Sequence, residues 1–360
     1  MSIKEKYTFA FEQESRNVLH FKLEDGTVRA SIFILEKDII RILFTVGEKL
    51  TLDRTWSIAP GMDDIPLEGK SRFATDGFSL PAYETEILDD FFAVKTEVLK
   101  LQIDLNGFKI TWYYRKENDW VQIAKDRSTQ AYHFEHSLSS GPAHYLQRHL
   151  DEQYFGLGEK TGSVDKHGKR YRMQTIDAMG YDAEYTDPLY KHIPFYITRK
   201  KETGLSFGLF YDNLSSSVFE MGSELDNYHG LYRYFQAEDG DLDYYVIAGP
   251  NVRDVTEKFA WMTGKTILPP KWSLGYSGST MSYTDAPDAQ EQVKKFLKLC
   301  REHDILCDSF QLSSGYTSIN EKRYVFTWNE SKFPQPKEVI NEFHANDLKL
   351  CANIKPLLTK

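Results

Sequence analysis

The stretch Leu268 to Lys360 constrains this chain more than any other, because its apolar pattern changes period five times in about ninety residues. Trp272-Ser-Leu-Gly-Tyr276 reads as a first strand. Asp285-Ala-Pro-Asp288 supplies an acidic cap and a proline at the start of a helix, where the positive end of the helix dipole favours acids. Val293, Phe296, Leu297 and Cys300 then recur at one helical face. Ile305 to Leu312 reads as a second strand. Pro336 opens a second helix with Val339, Ile340 and Phe343 on one side, and Asn346 is placed to end it in a left-handed conformation. Leu348 to Ile354 is a third apolar strand. Strands alternating with helices in this way predict right-handed βαβ units and a parallel sheet.

The rest of the chain has the opposite grammar. From Tyr7 to Ile247 short apolar strands follow one another across polar turns, with Lys37-Asp38 and Asn106-Gly107 as hairpin signals. This predicts a large antiparallel sandwich. One helix interrupts it, opened by Pro250-Asn251, lined by Val255, Phe259 and Met262, and closed by Gly264. The expected organisation is therefore mixed β and α/β: a β-sandwich over 1–250, a helical linker over 251–269 and βαβ units of a parallel sheet over 270–360.

Aromatic residues make up 14% of the chain, which suits a sandwich core before it suits a sugar-stacking surface. A formal net charge of -9 argues against nucleic acid or an anionic membrane as partner. Cys300, Cys307 and Cys351 are odd in number and have no metal spacing, so they read as reduced core residues of a cytoplasmic protein. No apolar run reaches the length of a membrane span, and the first residues lack a signal-peptide core.

Two stretches of the sandwich stand out. Tyr154-Phe-Gly-Leu-Gly-Glu159 reads as a tight strand-to-loop turn. Asp177 to Pro188 is a loop with four carboxylates at spacings that do not match a calcium loop. It reads either as solvated surface or as a flap over a neighbouring site.

In order along the chain, Phe155-Gly-Leu-Gly-Glu159, Asp177 in its loop, Leu189-Tyr-Lys-His-Ile-Pro-Phe195, Leu268-Pro-Pro-Lys-Trp-Ser-Leu-Gly275 and Phe326-Thr-Trp-Asn-Glu-Ser-Lys-Phe-Pro334 resemble the glycoside hydrolases of family 31, the α-glucosidases and α-xylosidases. The resemblance runs from about Tyr154 to Lys360. It implies a galactose-mutarotase-like sandwich followed by a (β/α)8 TIM barrel. It also implies retaining hydrolysis of an α-glycosidic bond by two carboxylates, with no metal or organic cofactor and an oligosaccharide or glycoside as substrate.

The resemblance places the nucleophile after the fourth barrel strand and the acid/base beyond it. About ninety residues cannot form a barrel of about 250, so no catalytic residue is named here and the chain alone is expected to be inactive. Asp308 lies early in its strand, and Glu330 falls in a loop the family does not use for catalysis. The family pattern Asp-x-Asp-Tyr ends the second strand, and its first Asp holds sugar hydroxyls. Here Leu312-Ser-Ser-Gly-Tyr316 puts Ser313 in that place, an uncharged and weaker partner. Barrel logic puts substrate contacts at the C-terminal strand ends, and the expected contacts are Tyr276, Ser313, Lys355, Trp328 in the following loop, and Asp177 from the sandwich.

Two other readings accompany this one. A non-catalytic carbohydrate-binding protein would keep the sandwich without a nucleophile. An aldose mutarotase would use a histidine from His133, His136, His144 and His149 with a carboxylate for proton transfer, although histidines in so polar a stretch are expected to be exposed. Finally, an open edge along Leu348 to Ile354 would invite association, giving a possible homo-oligomer.

Overall fold

A computed structural model of the chain describes residues 8–62, 64–88, 90–134 and 141–354. They form two compact units, residues 1–265 and 266–360.

In the first unit every strand pairing among the described residues is antiparallel, short polar turns joining the hairpins and longer connections bringing distant strands side by side. The largest sheet has eight strands in the spatial order Phe9–Ser15, Val18–Leu23, Val28–Glu36, Ile39–Val46, Leu242–Gly249, Ser206–Tyr211, Phe195–Lys200 and Glu152–Gly156. A five-stranded sheet runs Asp119–Lys125, Lys109–Lys116, Leu99–Asp104, Phe91–Lys95 and Glu84–Leu88. Another runs Tyr132–His133, Ala143–Gln147, Tyr232–Ala237, Ser217–Glu220 and Arg170–Met173. One apolar core draws on all three, with Phe21, Phe44, Phe92, Phe108 and Trp112 at its centre. The Phe21 and Phe92 rings meet edge to face at 5.0 Å, the geometry the ring quadrupole favours. Much of the chain's aromatic content is thus core.

The helix Val252–Thr263 begins where the Asn251 side chain accepts a hydrogen bond from the Asp254 amide at 3.0 Å. Its buried Val255 and Met262 cover the outer face of the eight-stranded sheet with Phe195, Phe210 and Tyr245. Phe259 stacks flat on Phe195 with ring centroids 3.7 Å apart. The helix therefore belongs to the first compact unit, which ends at Lys265.

The second unit holds three parallel strands in the order Ser277–Ser279, Ser309–Leu312 and Lys349–Ala352. The helices Ala289–Glu302 and Pro336–His344 connect them. Val293 and Leu297 of the first helix, Val339 and Phe343 of the second, and Phe310 and Leu312 of the central strand close one small core.

Three local expectations are corrected. The first strand is Ser277–Ser279, and Trp272 lies in a 3-10 turn over Lys271–Leu274. Pro269 and Pro270 hold the chain extended just before it, and Ser273 folds back to hydrogen bond Pro270 O through both its amide (3.0 Å) and its hydroxyl (2.8 Å). Asp347, not Asn346, takes the left-handed conformation after the second helix, at φ 61°; the Asn346 side chain instead donates to Glu342 O at 2.6 Å. Asp285 caps no long helix: Asp288 sits at that position, and its carboxylate accepts from Gln292 Nε2 at 2.7 Å.

Candidate functional site

Register decides which residues share the C-terminal rim of the parallel sheet. Ser279 pairs with Gln311, and Leu312 pairs with Ala352. The first residues beyond the strands are Thr280, in step with Leu312, and Ser313 and Asn353, in step with each other, Asn353 donating its amide to Leu312 O at 3.0 Å. Thr280 and Asn353 were not legible in the sequence, because they become rim residues only once the register is known.

Ser313 stands at the end of the central strand with extended backbone (φ -65°, ψ 154°). Its side chain is half-buried. Among the described residues its hydroxyl has no hydrogen-bond partner, which leaves it free for a ligand. The chain then turns at once into a buried 3-10 segment, Ser314–Thr317. Gly315 is required there: a Cβ would lie 2.6 Å from the Thr284 carbonyl carbon, closer than carbon atoms approach. This packs the segment Met281–Asp285 against the second strand's exit. Asp285, which sequence reasoning took for a cap, forms a two-point ion pair with Arg323 at 3.0 and 3.1 Å. Its carbonyl accepts from Lys332 Nζ at 3.0 Å.

Trp328 is half-buried, with its ring 4.8 Å from Tyr316 and 5.4 Å from Phe333. It braces the loop behind the rim. Tyr276 is a correction. It precedes the first strand, and its carbonyl accepts from the Asp308 amide at 2.9 Å, so it lies at the N-terminal end of the sheet, opposite Ser313. The late start of the strand is the cause. Asp308 shares that end, consistent with its early place in the strand, and Glu330 is exposed. Lys355 lies outside the described residues.

In the sandwich, the four carboxylates of the 177–188 loop sort by their partners. Asp182 accepts from the amides of Glu184 (2.8 Å) and Tyr185 (3.0 Å) and so builds the turn. Asp187 binds the Arg172 amide at 2.7 Å and Lys160 at 3.1 Å. Glu184 is exposed. Asp177 is exposed too, and touches Tyr190: partial burial, the Asp177 charge and a hydrogen bond to it push the Tyr190 phenol up. Upstream, the turn at Gly156-Leu-Gly158 is tight as expected, since a Cβ on Gly156 (φ 121°) would meet Phe195 O at 2.7 Å.

The histidine cluster separates. His144, expected to be exposed, is fully buried. Its Nε2 lies 3.0 Å from Asp126 Oδ1 and its Nδ1 3.0 Å from Tyr211 OH. The rings of Tyr132 and Tyr244 stack against it with centroids at 4.9 and 4.5 Å. Both ring nitrogens thus have a partner inside the core, and no sugar can reach the fully buried ring. His149 is exposed and His133 half-buried; His136 lies outside the described residues. Among the described residues no group of three or more His, Cys, Asp or Glu is arranged to hold a metal ion.

Comparison with known proteins agrees with this architecture. The family described as "Glycosyl hydrolase 31 N-terminal galactose mutarotase-like domain" matches residues 29–220, and "Glycosyl hydrolases family 31 TIM-barrel domain" matches residues 266–360. The chain is 35% identical over 205 residues to "Alpha-glucosidase 2" of Bacillus thermoamyloliquefaciens, covering 57% of this chain and 24% of that protein. It is 25% identical over 342 residues to an "Alpha-xylosidase" of Saccharolobus solfataricus, covering 93% and 41%. Among solved structures, the Flavobacterium johnsoniae GH31 dextranase complexed with glucose shares the fold at a TM-score of 0.76 and 23% identity, over 98% of this chain and 39% of that one. The chain thus spans between about a quarter and two fifths of the length of these relatives.

Proposed function

The chain belongs to glycoside hydrolase family 31, and on that premise we propose that it supplies the sandwich and the first strands of the barrel of a retaining α-glycosidase acting on oligosaccharides or glycosides. The observation that carries this reading is the rim of the parallel sheet, where Ser313 presents a half-buried hydroxyl with no hydrogen-bond partner among the described residues, at the end of the central strand. Ser313 is the sugar-facing residue of the innermost subsite. A neutral hydroxyl there binds a sugar hydroxyl less tightly than a carboxylate would, which favours a substrate other than a plain terminal glucose. Asp177, exposed on its loop and tied to Tyr190, is a further proposed sugar contact. Trp328 and Lys355 complete the proposed set, the first by holding the loop after the second strand.

Among the described residues the rim carries Thr280, Ser313 and Asn353 and no carboxylate, which supports the reading that the carboxylate pair of a retaining mechanism is not supplied by these strand ends. The three cysteines are unbridged, which supports a reducing, cytoplasmic setting. The edge of Lys349–Ala352, unpaired among the described residues, supports self-association.

The test has two arms, both with an aryl α-glycoside. The 360-residue chain alone leaves it uncleaved. The protein purified from its native cells cleaves it and releases the α-anomer first, as seen by proton NMR. Turnover by the 360-residue chain would place the acid pair within it, and release of the β-anomer would overturn the retaining assignment.

A further inference from the structure

The outer face of the sheet Glu84–Leu88 to Asp119–Lys125 carries a hollow of about 590 Å³ that no step above uses. We propose that this hollow, lined by Trp120, Ala93, Glu86 and Lys100, is a second binding site for a neutral glucan oligosaccharide on the sandwich.

Its construction follows from cross-strand register. Glu86 lies opposite Ala93, Glu84 opposite Lys95, and Lys95 opposite Lys100, which lies opposite Tyr113. These residues share one face because side chains alternate along a strand. Ala93 is the smallest side chain on that face and forms the floor; the longer side chains around it form walls. Trp120, half-buried, closes one side. The volume falls in the range of ligand sites, about 300–1,000 Å³, and suits two or three sugar rings.

The chemistry selects a neutral polyol. Two glutamates and two lysines line the hollow, so its charges cancel, and an anion or a cation would meet a like charge on either side. Glu84 is already held by Lys95 at 2.7 Å, and Lys100 is steadied over the Tyr113 ring at 5.2 Å. Glu86 remains as an acceptor and Lys100 as a donor on opposite sides of the floor. A sugar hydroxyl donates to one and accepts from the other. The C–H face of a pyranose ring fits against the indole of Trp120, an aromatic with an apolar body and a polar tip. The choice of glucan among neutral polyols rests on the glycosidase reading; the hollow itself does not.

The experiment is calorimetric titration of the 360-residue chain with isomaltotriose and maltotriose. Trp120→Ala is expected to weaken binding of at least one of them by about tenfold, equivalent to about 1.4 kcal/mol, with an unchanged melting temperature. Ala93→Gln, which fills the floor and removes no contact, is expected to weaken it to a similar degree, and guards against misfolding in the first variant. Absence of binding by the wild-type chain, or binding that both variants leave unchanged, overturns the site. Neither result touches the glycosidase reading, which stands or falls on the anomer released by the native protein.

Discussion

The two units of this chain solve the same problem with different resources. The sandwich closes over itself, with three sheets sharing one core and a helix covering the remaining face of the largest sheet. It can therefore bury charge. Glu152 meets Arg233 at 2.9 Å and Lys200 at 2.8 Å, with Tyr154 OH donating to it at 2.7 Å, and Arg41 grips Asp243 through two hydrogen bonds at 2.7 and 2.6 Å. The parallel sheet has only three short strands and one small core, and among the described residues both outer strands are unpaired on one side. Its unmet hydrogen-bonding capacity lies at its edges and its rim, and that is where ligand and further structure can be received. The lesson is that the sandwich buries its charges within closed sheets, while the parallel sheet leaves edges and a rim uncovered among the described residues.

The largest effect that would break this contrast is in the sandwich. Arg233→Met removes one partner of a fully buried pair and leaves Lys200 as the one cation against Glu152. Chemical denaturation should show a loss of about 3–5 kcal/mol, confined to the first unit. The same network sets the acid limb. Burial pushes the Glu152 carboxyl up, but the Arg233 and Lys200 charges and the hydrogen bonds outweigh it and hold the group below its usual value. A carboxyl lowered in the folded state stabilises above its unfolded value and loses that contribution as pH falls through the folded one. The sandwich should thus weaken as pH drops below about 4, and the Arg233→Met variant should have lost this part of the pH dependence.

A smaller effect sharpens the other side. Gly315→Ala places a Cβ against the Thr284 carbonyl, and backbone atoms cannot step aside as a flexible side chain would. The expected cost is about 1–3 kcal/mol, seen as faster amide exchange over 281–317 with the sandwich unaffected. An unaffected second unit would show that Ser313 is not held by this contact.

What the sequence disclosed follows the range of the forces involved. The hairpin at Asn106-Gly107 and the helix lined by Val293, Leu297 and Cys300 were legible, because turn chemistry and helical period are local. The first parallel strand was misplaced because the prolines turned an apolar run into a 3-10 turn, and the error carried Tyr276 to the wrong end of the sheet. The partner of Asp285 is Arg323, 38 residues away, and nothing near Asp285 announces it. His144 lies in a polar stretch, and only the pairing of Ala143–Gln147 with its neighbouring strands carries it into the core beside Asp126 and Tyr211. Thr280 and Asn353 become rim residues only through register, which three short strands do not encode locally.

The measurement that tests the contrast most directly is peptide-resolved hydrogen exchange on the 360-residue chain at a concentration where it is a demonstrated monomer. The strands Leu242–Gly249 and Lys349–Ala352 should differ most, the first among the slowest amides in the molecule and the second exchanging orders of magnitude faster. Equal, slow exchange in both strands would contradict the account, because it would mean that the parallel sheet is complete as it stands.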